Sequence, residues 1–132
     1  MFCVVVDPGV GSERRAICIK TRRYFFIGPD NGVLEPAAKE DGIEQIISLT
    51  NPEYFLPEMS NTFHGRDLFA PVCAHLASGV APELMGEPVG DIHELDIQSP
   101  LVSRQHDQSS TRAHPLEFLV VHADVFGNLV LN

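Results

Sequence analysis

Val4-Val5-Val6-Asp7-Pro8-Gly9-Val10-Gly11-Ser12-Glu13-Arg14-Arg15 is the stretch whose reading decides the fold. An apolar run stops abruptly at a carboxylate and turns through proline and two glycines, which predicts a buried strand ending in a loop. In open α/β sheets ligands bind just beyond the carboxyl ends of strands. Gly9 and Gly11 allow that loop to take positive φ or to approach a ligand closely. Asp7 therefore occupies the place where such folds keep their chemistry, although an Asx-type turn residue opening a tight loop would look the same.

Outward from this stretch, Ala16–Lys20 and Tyr24–Ile27 are rich in β-branched and aromatic residues and predict two strands joined by Thr21-Arg22-Arg23. Such a hairpin makes the sheet mixed. Gly28-Pro29-Asp30-Asn31-Gly32 is strong turn chemistry, with Asp30 or Asn31 placed to cap a following helix. That helix covers Leu34–Glu40, with Pro36 in its first turn and its end near Gly42. Ile43–Leu49 is the next strand, broken by Asn51-Pro52, and an irregular loop anchored by Tyr54 and Phe55 runs on to Asn61.

A second helix follows His64-Gly65-Arg66-Asp67, with Leu68, Phe69, Val72, Cys73, Leu76 and Ala77 on one face and Gly79 as its stop. Pro71 is tolerated only in an opening turn, so the helix is expected to start near Asp67, with Asp67 as its cap and His64 just before its N-terminus. The chain is then punctuated by Pro and Gly as far as Gly90. Residues 101–115 form a polar linker that includes His106 and His114, Leu116–His122 reads as a strand, and Phe126-Gly127-Asn128 is the turn after it. The expected organisation is an α/β domain over 1–100, that linker, and the beginning of a β-domain over 116–132. The fold class is α/β, with a Rossmann-like mixed but mostly parallel sheet flanked by helices.

Composition bounds the function. A chain of 132 residues with 44% apolar content can bury one real core. A formal charge of −9 argues against a nucleic-acid partner, which needs phosphate-neutralising Lys and Arg. A cationic or zwitterionic small ligand is compatible with it. Cys3, Cys18 and Cys73 are widely spaced without a Cys-x-x-Cys pair, as expected of reduced structural thiols in a cytoplasmic protein. No apolar run approaches the roughly 20 residues that span a bilayer. Neither His-x-x-x-His nor a comparable spacing supports a metal-dependent hydrolase built on Asp7, His64 and Asp67.

Four blocks stand in order: Asp7 to Arg14, Gly28 to Gly32, Thr62-Phe63-His64-Gly65-Arg66-Asp67, and Asp124-Val125-Phe126-Gly127-Asn128-Leu129. Together they resemble the S-adenosylmethionine hydroxide adenosyltransferase family, the adenosine-forming hydrolases related to fluorinases and chlorinases. The resemblance implies hydrolysis of S-adenosyl-L-methionine to adenosine and L-methionine without a metal or cofactor. It matches Asp7, Arg14 and His64 to a water-activating trio, Asp124 to the acceptor of the methionine ammonium, and Asn128 to the adenine contact, with Phe126 beside them. Gly9, Gly11, Asp30, Asn31, Gly32 and Asp67 fall in the site loops. Full-length relatives are implied to be homotrimers with the ligand held between subunits.

The family's preceding strand, with its ribose-binding Asp, and most of its C-terminal β-domain are not matched. The chain alone is therefore expected to bind and turn over substrate poorly. Two further readings stay open: a catalytically dead oligomerising or ligand-binding fragment, and a halogenase, against which His64-Gly65 counts because halogenases carry a hydroxyl-bearing arrangement there.

Overall fold

In a computed structural model of the chain, the described residues are 1–95, 120–123 and 125–131. They fall into two compact units, 1–95 and 96–132, each described by itself. The expected linker over 101–115, residues 116–119 of the expected strand, and Asp124 lie outside the described residues.

The first unit is a five-stranded sheet with a helix against each face. Its strands are β1 (Phe2–Cys3), β2 (Ala16–Thr21), β3 (Phe25–Pro29), β4 (Ile43–Leu49) and β5 (Gly86–Val89), in the order β1-β3-β2-β4-β5. Mixed α/β architecture is as expected, but a mostly parallel sheet is not. Only β1 and β3 pair in parallel, while β2–β3, β2–β4 and β4–β5 are antiparallel. The reason is connection length: a parallel pair needs a crossover of a dozen or more residues, and the short turn between β2 and β3 permits only a hairpin. The helix α1 (Glu35–Asp41) carries the chain from β3 to β4 across the intervening β2, so β3 and β4 run parallel to each other on either side of it.

Alternation along β2 builds the core. Ala16 and Cys18 join Ile27, Ile47, Leu68, Phe69, Val72 and Met85 on one face, and Ile17 and Ile19 join Phe26, Leu34, Ala38 and Ile46 on the other. The first cluster packs under α2 (Ala70–Ala77), the second under α1. Each fully buried Leu, Ile, Val or Phe contributes about 1.5–3 kcal/mol, so the two-sided burial of β2 is the main stabilising feature.

Further expectations need correction. The valine run is not a buried strand: β1 covers only Phe2–Cys3, Val4 N–H donates to the Ile27 carbonyl at 2.9 Å, and Val6 is 62% exposed. The run leaves the sheet at its edge, so its side chains have strand neighbours on one flank only. Next, α1 is capped by neither Asp30 nor Asn31. Its N-cap is Leu34, which makes no side-chain capping bond, whereas Pro36 in the first turn and Gly42 at the C-cap with φ 86° are as expected.

The second helix begins earlier than Asp67, with a π-type turn over Gly65–Phe69 in front of α2. Pro71 has no N–H to give the Asp67 carbonyl four residues back. That carbonyl instead accepts the Leu56 N–H at 2.8 Å, and the wider turn is closed by Ala70 N–H to the Gly65 carbonyl. Ala77, expected on the inner face, is exposed.

Finally, the Pro/Gly-punctuated segment contains β5. A Cβ on Gly86 would lie 1.8 Å from the Ser48 carbonyl oxygen, so only glycine permits this pairing. Pro88, opposite Ile47, is tolerated because β5 is an edge strand. Among the described residues no helix is long and apolar enough to cross a membrane. In the second unit, β6 (Val120–Ala123) pairs antiparallel with β7 (Leu129–Leu131), and Gly127 takes φ 86° in the turn between them.

Candidate active site

The loop after β1 folds back on itself through short-range bonds. Val10 N–H donates to the Asp7 carbonyl at 3.2 Å and Ser12 N–H to the Gly9 carbonyl at 3.0 Å. The Ser12 hydroxyl also donates to that carbonyl at 2.6 Å and accepts the Arg14 N–H at 3.3 Å. Gly11 has φ 78°, and a Cβ there would meet the Asn61 carbonyl oxygen at 2.5 Å. This loop therefore docks on the segment that leads to His64. Gly65 completes the approach: a Cβ on it would sit 3.2 Å from Val5 Cγ1, so a bulkier residue would press the first helical turn away from the strand extension that carries Asp7.

These contacts bring Asp7, Arg14 and His64 together. Arg14 Nε donates to Asp7 Oδ1 at 2.9 Å and Nη2 bonds Asp7 Oδ2, a bidentate fork. The two side chains are only 10% and 5% exposed. Arg14 Nη2 also lies 2.7 Å from His64 Nδ1. A guanidinium has no acceptor, so Nδ1 accepts and the ring proton of His64 resides on Nε2. Arg14 Nη1 makes a long bond of 3.4 Å to the Arg15 carbonyl. The guanidinium carbon stands 5.6 Å above the centroid of the buried Phe69 ring, a cation–π contact. The helical pattern identified Phe69 only as core; its place beneath Arg14 depends on a sheet-to-helix contact that no local pattern carries.

Asp67 is close to the trio but not part of it. Fully buried, it accepts Arg66 Nε at 2.6 Å, Arg66 Nη2 at 3.1 Å and the Ser60 N–H at 2.8 Å. It thus ties the preceding loop to the helix instead of capping it. The Arg66 guanidinium foremost, then the Ser60 N–H, holds its carboxyl below the ordinary value of 3.8. A carboxyl depressed in the folded state contributes stability above the unfolded value and loses it as pH falls through the folded one. Urea midpoints are accordingly expected to hold steady above the ordinary carboxylate range and to fall below it. Asp67→Asn should lower the neutral plateau and flatten that acid limb; an unchanged limb would refute the linkage.

Asp30 and Asn31 lie just beyond β3. Asp30 accepts Arg15 Nε at 2.7 Å and the His93 N–H at 2.8 Å. Arg15 also bonds Asp91 Oδ1 at 3.1 Å and Oδ2 at 3.0 Å. The Asn31 amide donates to the Val6 carbonyl at 2.8 Å and its oxygen accepts the Val33 N–H at 3.1 Å. Gly32 has φ 91°, and a Cβ there would lie 2.3 Å from Leu95 Cγ. A cleft of ≈580 Å³ opens between Glu13, Arg14, Arg15, Asp30 and Asn31 on one side and Asp91–Glu94 on the other. An apolar groove of ≈390 Å³ between β1, β3 and α1 is lined by Phe2, Tyr24, Phe26 and Leu34, away from the trio.

Phe126 and Asn128 belong to the second unit, where both are exposed. Among the described residues no three His, Cys, Asp or Glu side chains gather into a group that could hold a metal ion.

Residues 1–86 match the family model described as the SAM hydroxide adenosyltransferase N-terminal domain. The chain is 43% identical over 128 residues to the (R)-S-adenosyl-L-methionine hydrolase of Salinispora arenicola, covering 96% of this chain and 46% of that protein. A fluorinase from Nocardia brasiliensis is 32% identical over 75% of this chain and 32% of its own length. Among solved structures, a conserved protein from Thermotoga maritima superposes with a TM-score of 0.74 at 40% identity, over 98% of this chain and 46% of that one. The chain thus spans about half the length of the curated hydrolase it matches.

Proposed function

The chain belongs to the SAM hydroxide adenosyltransferase family, and from that premise we propose that it carries the water-activating part of a site that hydrolyses S-adenosyl-L-methionine. Water attacks the ribose 5′ carbon, an oxygen–carbon bond forms, the carbon–sulfur bond breaks, and methionine departs as a neutral thioether. One proton is released, and the products are adenosine and L-methionine. The leaving group needs no general acid, so the burden falls on the nucleophile.

The observation that carries this reading is the convergence of Asp7, Arg14 and His64, residues 7, 14 and 64, on one guanidinium. Asp7 consumes the inner edge of Arg14 and fixes its plane. That leaves the second N–H of Arg14 Nη1 as the donor for a solvent oxygen beside the ion pair, where the guanidinium charge favours its hydroxide form, and His64 Nε2–H, on the side of the ring away from Arg14, as a donor to a second water. Each Asp7 oxygen keeps a further lone-pair direction, so the proton leaves to Asp7 or by relay through His64. Holding the oxygen in line with the carbon–sulfur bond contributes up to about 7–11 kcal/mol in the best intramolecular analogues. Asp124, Asn128 and Phe126 would hold the methionine ammonium and adenine, supplied by a neighbouring subunit in a trimer, and S-adenosyl-L-methionine is a substrate, so no cofactor is called for.

Purified chain incubated with S-adenosyl-L-methionine in ¹⁸O-labelled water is expected to release adenosine slowly, labelled at the 5′ hydroxyl, and Asp7→Ala to release none. Unlabelled adenosine, or equal release by Asp7→Ala, would overturn the reading.

A further inference from the structure

We propose that Asp30 and Asn31 are positioning residues that hold the two ends of the Asp7–Arg14 loop, and so set the geometry of the ion pair that orients the nucleophile. The proposal rests on the functional reading above and adds to it two residues that touch none of the reacting atoms.

At one end of the loop, the Asn31 amide donates to the carbonyl of Val6, the residue directly before Asp7. At the other, Asp30 grips Arg15, the residue directly after Arg14, twice: its backbone N–H donates to the Arg15 carbonyl at 2.9 Å and its carboxylate accepts Arg15 Nε at 2.7 Å. The Arg15 carbonyl so fixed is the one that Arg14 Nη1 reaches. Adjacent residues on a single turn therefore fasten the chain immediately outside both members of a buried ion pair.

The turn is itself held. Asn31 Oδ1 accepts the Val33 N–H, and the Asp30 side chain, 3% exposed, also accepts the His93 N–H. A fork with two parallel bonds tolerates little displacement, and a shift of about 1 Å at a reacting group costs about 10²-fold in rate.

Two substitutions keep the Val33 acceptor and remove only the bond to Val6. Asn31→Asp replaces the amide N–H with an oxygen that opposes the Val6 carbonyl, and Asn31→Ser retains the turn with a hydroxyl too short to reach it. Asp91→Asn is the control, since Asp91 holds Arg15 from outside and its side chain is 79% exposed. Side-chain nitrogen NMR of the intact chain reads the Arg14 Nε–H and the tautomer of His64 directly. Faster exchange of the Arg14 Nε–H with solvent is expected in Asn31→Asp or Asn31→Ser at an unchanged far-ultraviolet spectrum, with Asp91→Asn like the parent.

Where the parent turns over substrate, kcat should fall by up to about 10²-fold with KM little changed. Parent-like Arg14 exchange in a folded Asn31 variant, or equal loss in Asp91→Asn, would overturn the proposal. A parent chain that releases no adenosine counts against the functional reading alone, because the NMR comparison still decides the positioning role.

Discussion

Arg14→Met is expected to lose about 3–5 kcal/mol of stability, because it leaves the Asp7 carboxylate buried without its counter-charge. Marginal domains hold only about 5–15 kcal/mol in total, so most of the margin would go. Both Asp7 oxygens depend on Arg14, and the pair is nearly closed to water, so solvent has little room to replace the lost donors. The double variant Asp7→Leu/Arg14→Met separates charge from packing. With both charges gone and apolar volume in their place, stability should return to near the parent value. Urea denaturation of the parent, the single and the double variant measures this. A single variant within about 1 kcal/mol of the parent would mean the pair behaves as an exposed one, and the buried fork would be refuted.

What the sequence makes legible here is what local chemistry determines. The β2–β3 hairpin, α1 with Pro36 at its start and Gly42 at its end, β4 over Ile43–Leu49, and the apolar face of α2 each follow from residues within one turn of one another. The trio is legible only through the family resemblance, since Asp7 and His64 carry no sign of their proximity until Gly11 and Gly65 let two loops touch.

What stayed hidden has long-range causes. The sequence Gly86-Glu87-Pro88-Val89 argues against a strand on propensity, yet Gly86 is what allows the chain to pass against Ser48. Sheet polarity depends on which strands become neighbours, and a valine run looks equally buried whether it lies at a centre or an edge. Asn31 reads as a turn residue, which it is; that its amide also reaches Val6 requires knowing that β1 lies beside β3.

His64 carries the second large effect, and its two ring nitrogens can be tested apart. His64→Ala is expected to lower kcat for adenosine release by about 10²–10⁴-fold, the usual span for a lost proton-handling group. Since the ring is only partly buried, stability should change little. His64→Asn places an amide oxygen near the position of Nδ1, where it can still accept from Arg14, but offers nothing at Nε2. His64→Gln extends an amide N–H toward the Nε2 position and gives up the Nδ1 contact. If the nucleophilic oxygen is held on the Arg14 side of the ring, the asparagine variant should keep part of the rate and the glutamine variant should fall as far as alanine. The reverse order would place the nucleophilic oxygen at Nε2, on the side of the ring away from Arg14, and the 2.7 Å contact at Nδ1 would then only steady the ring.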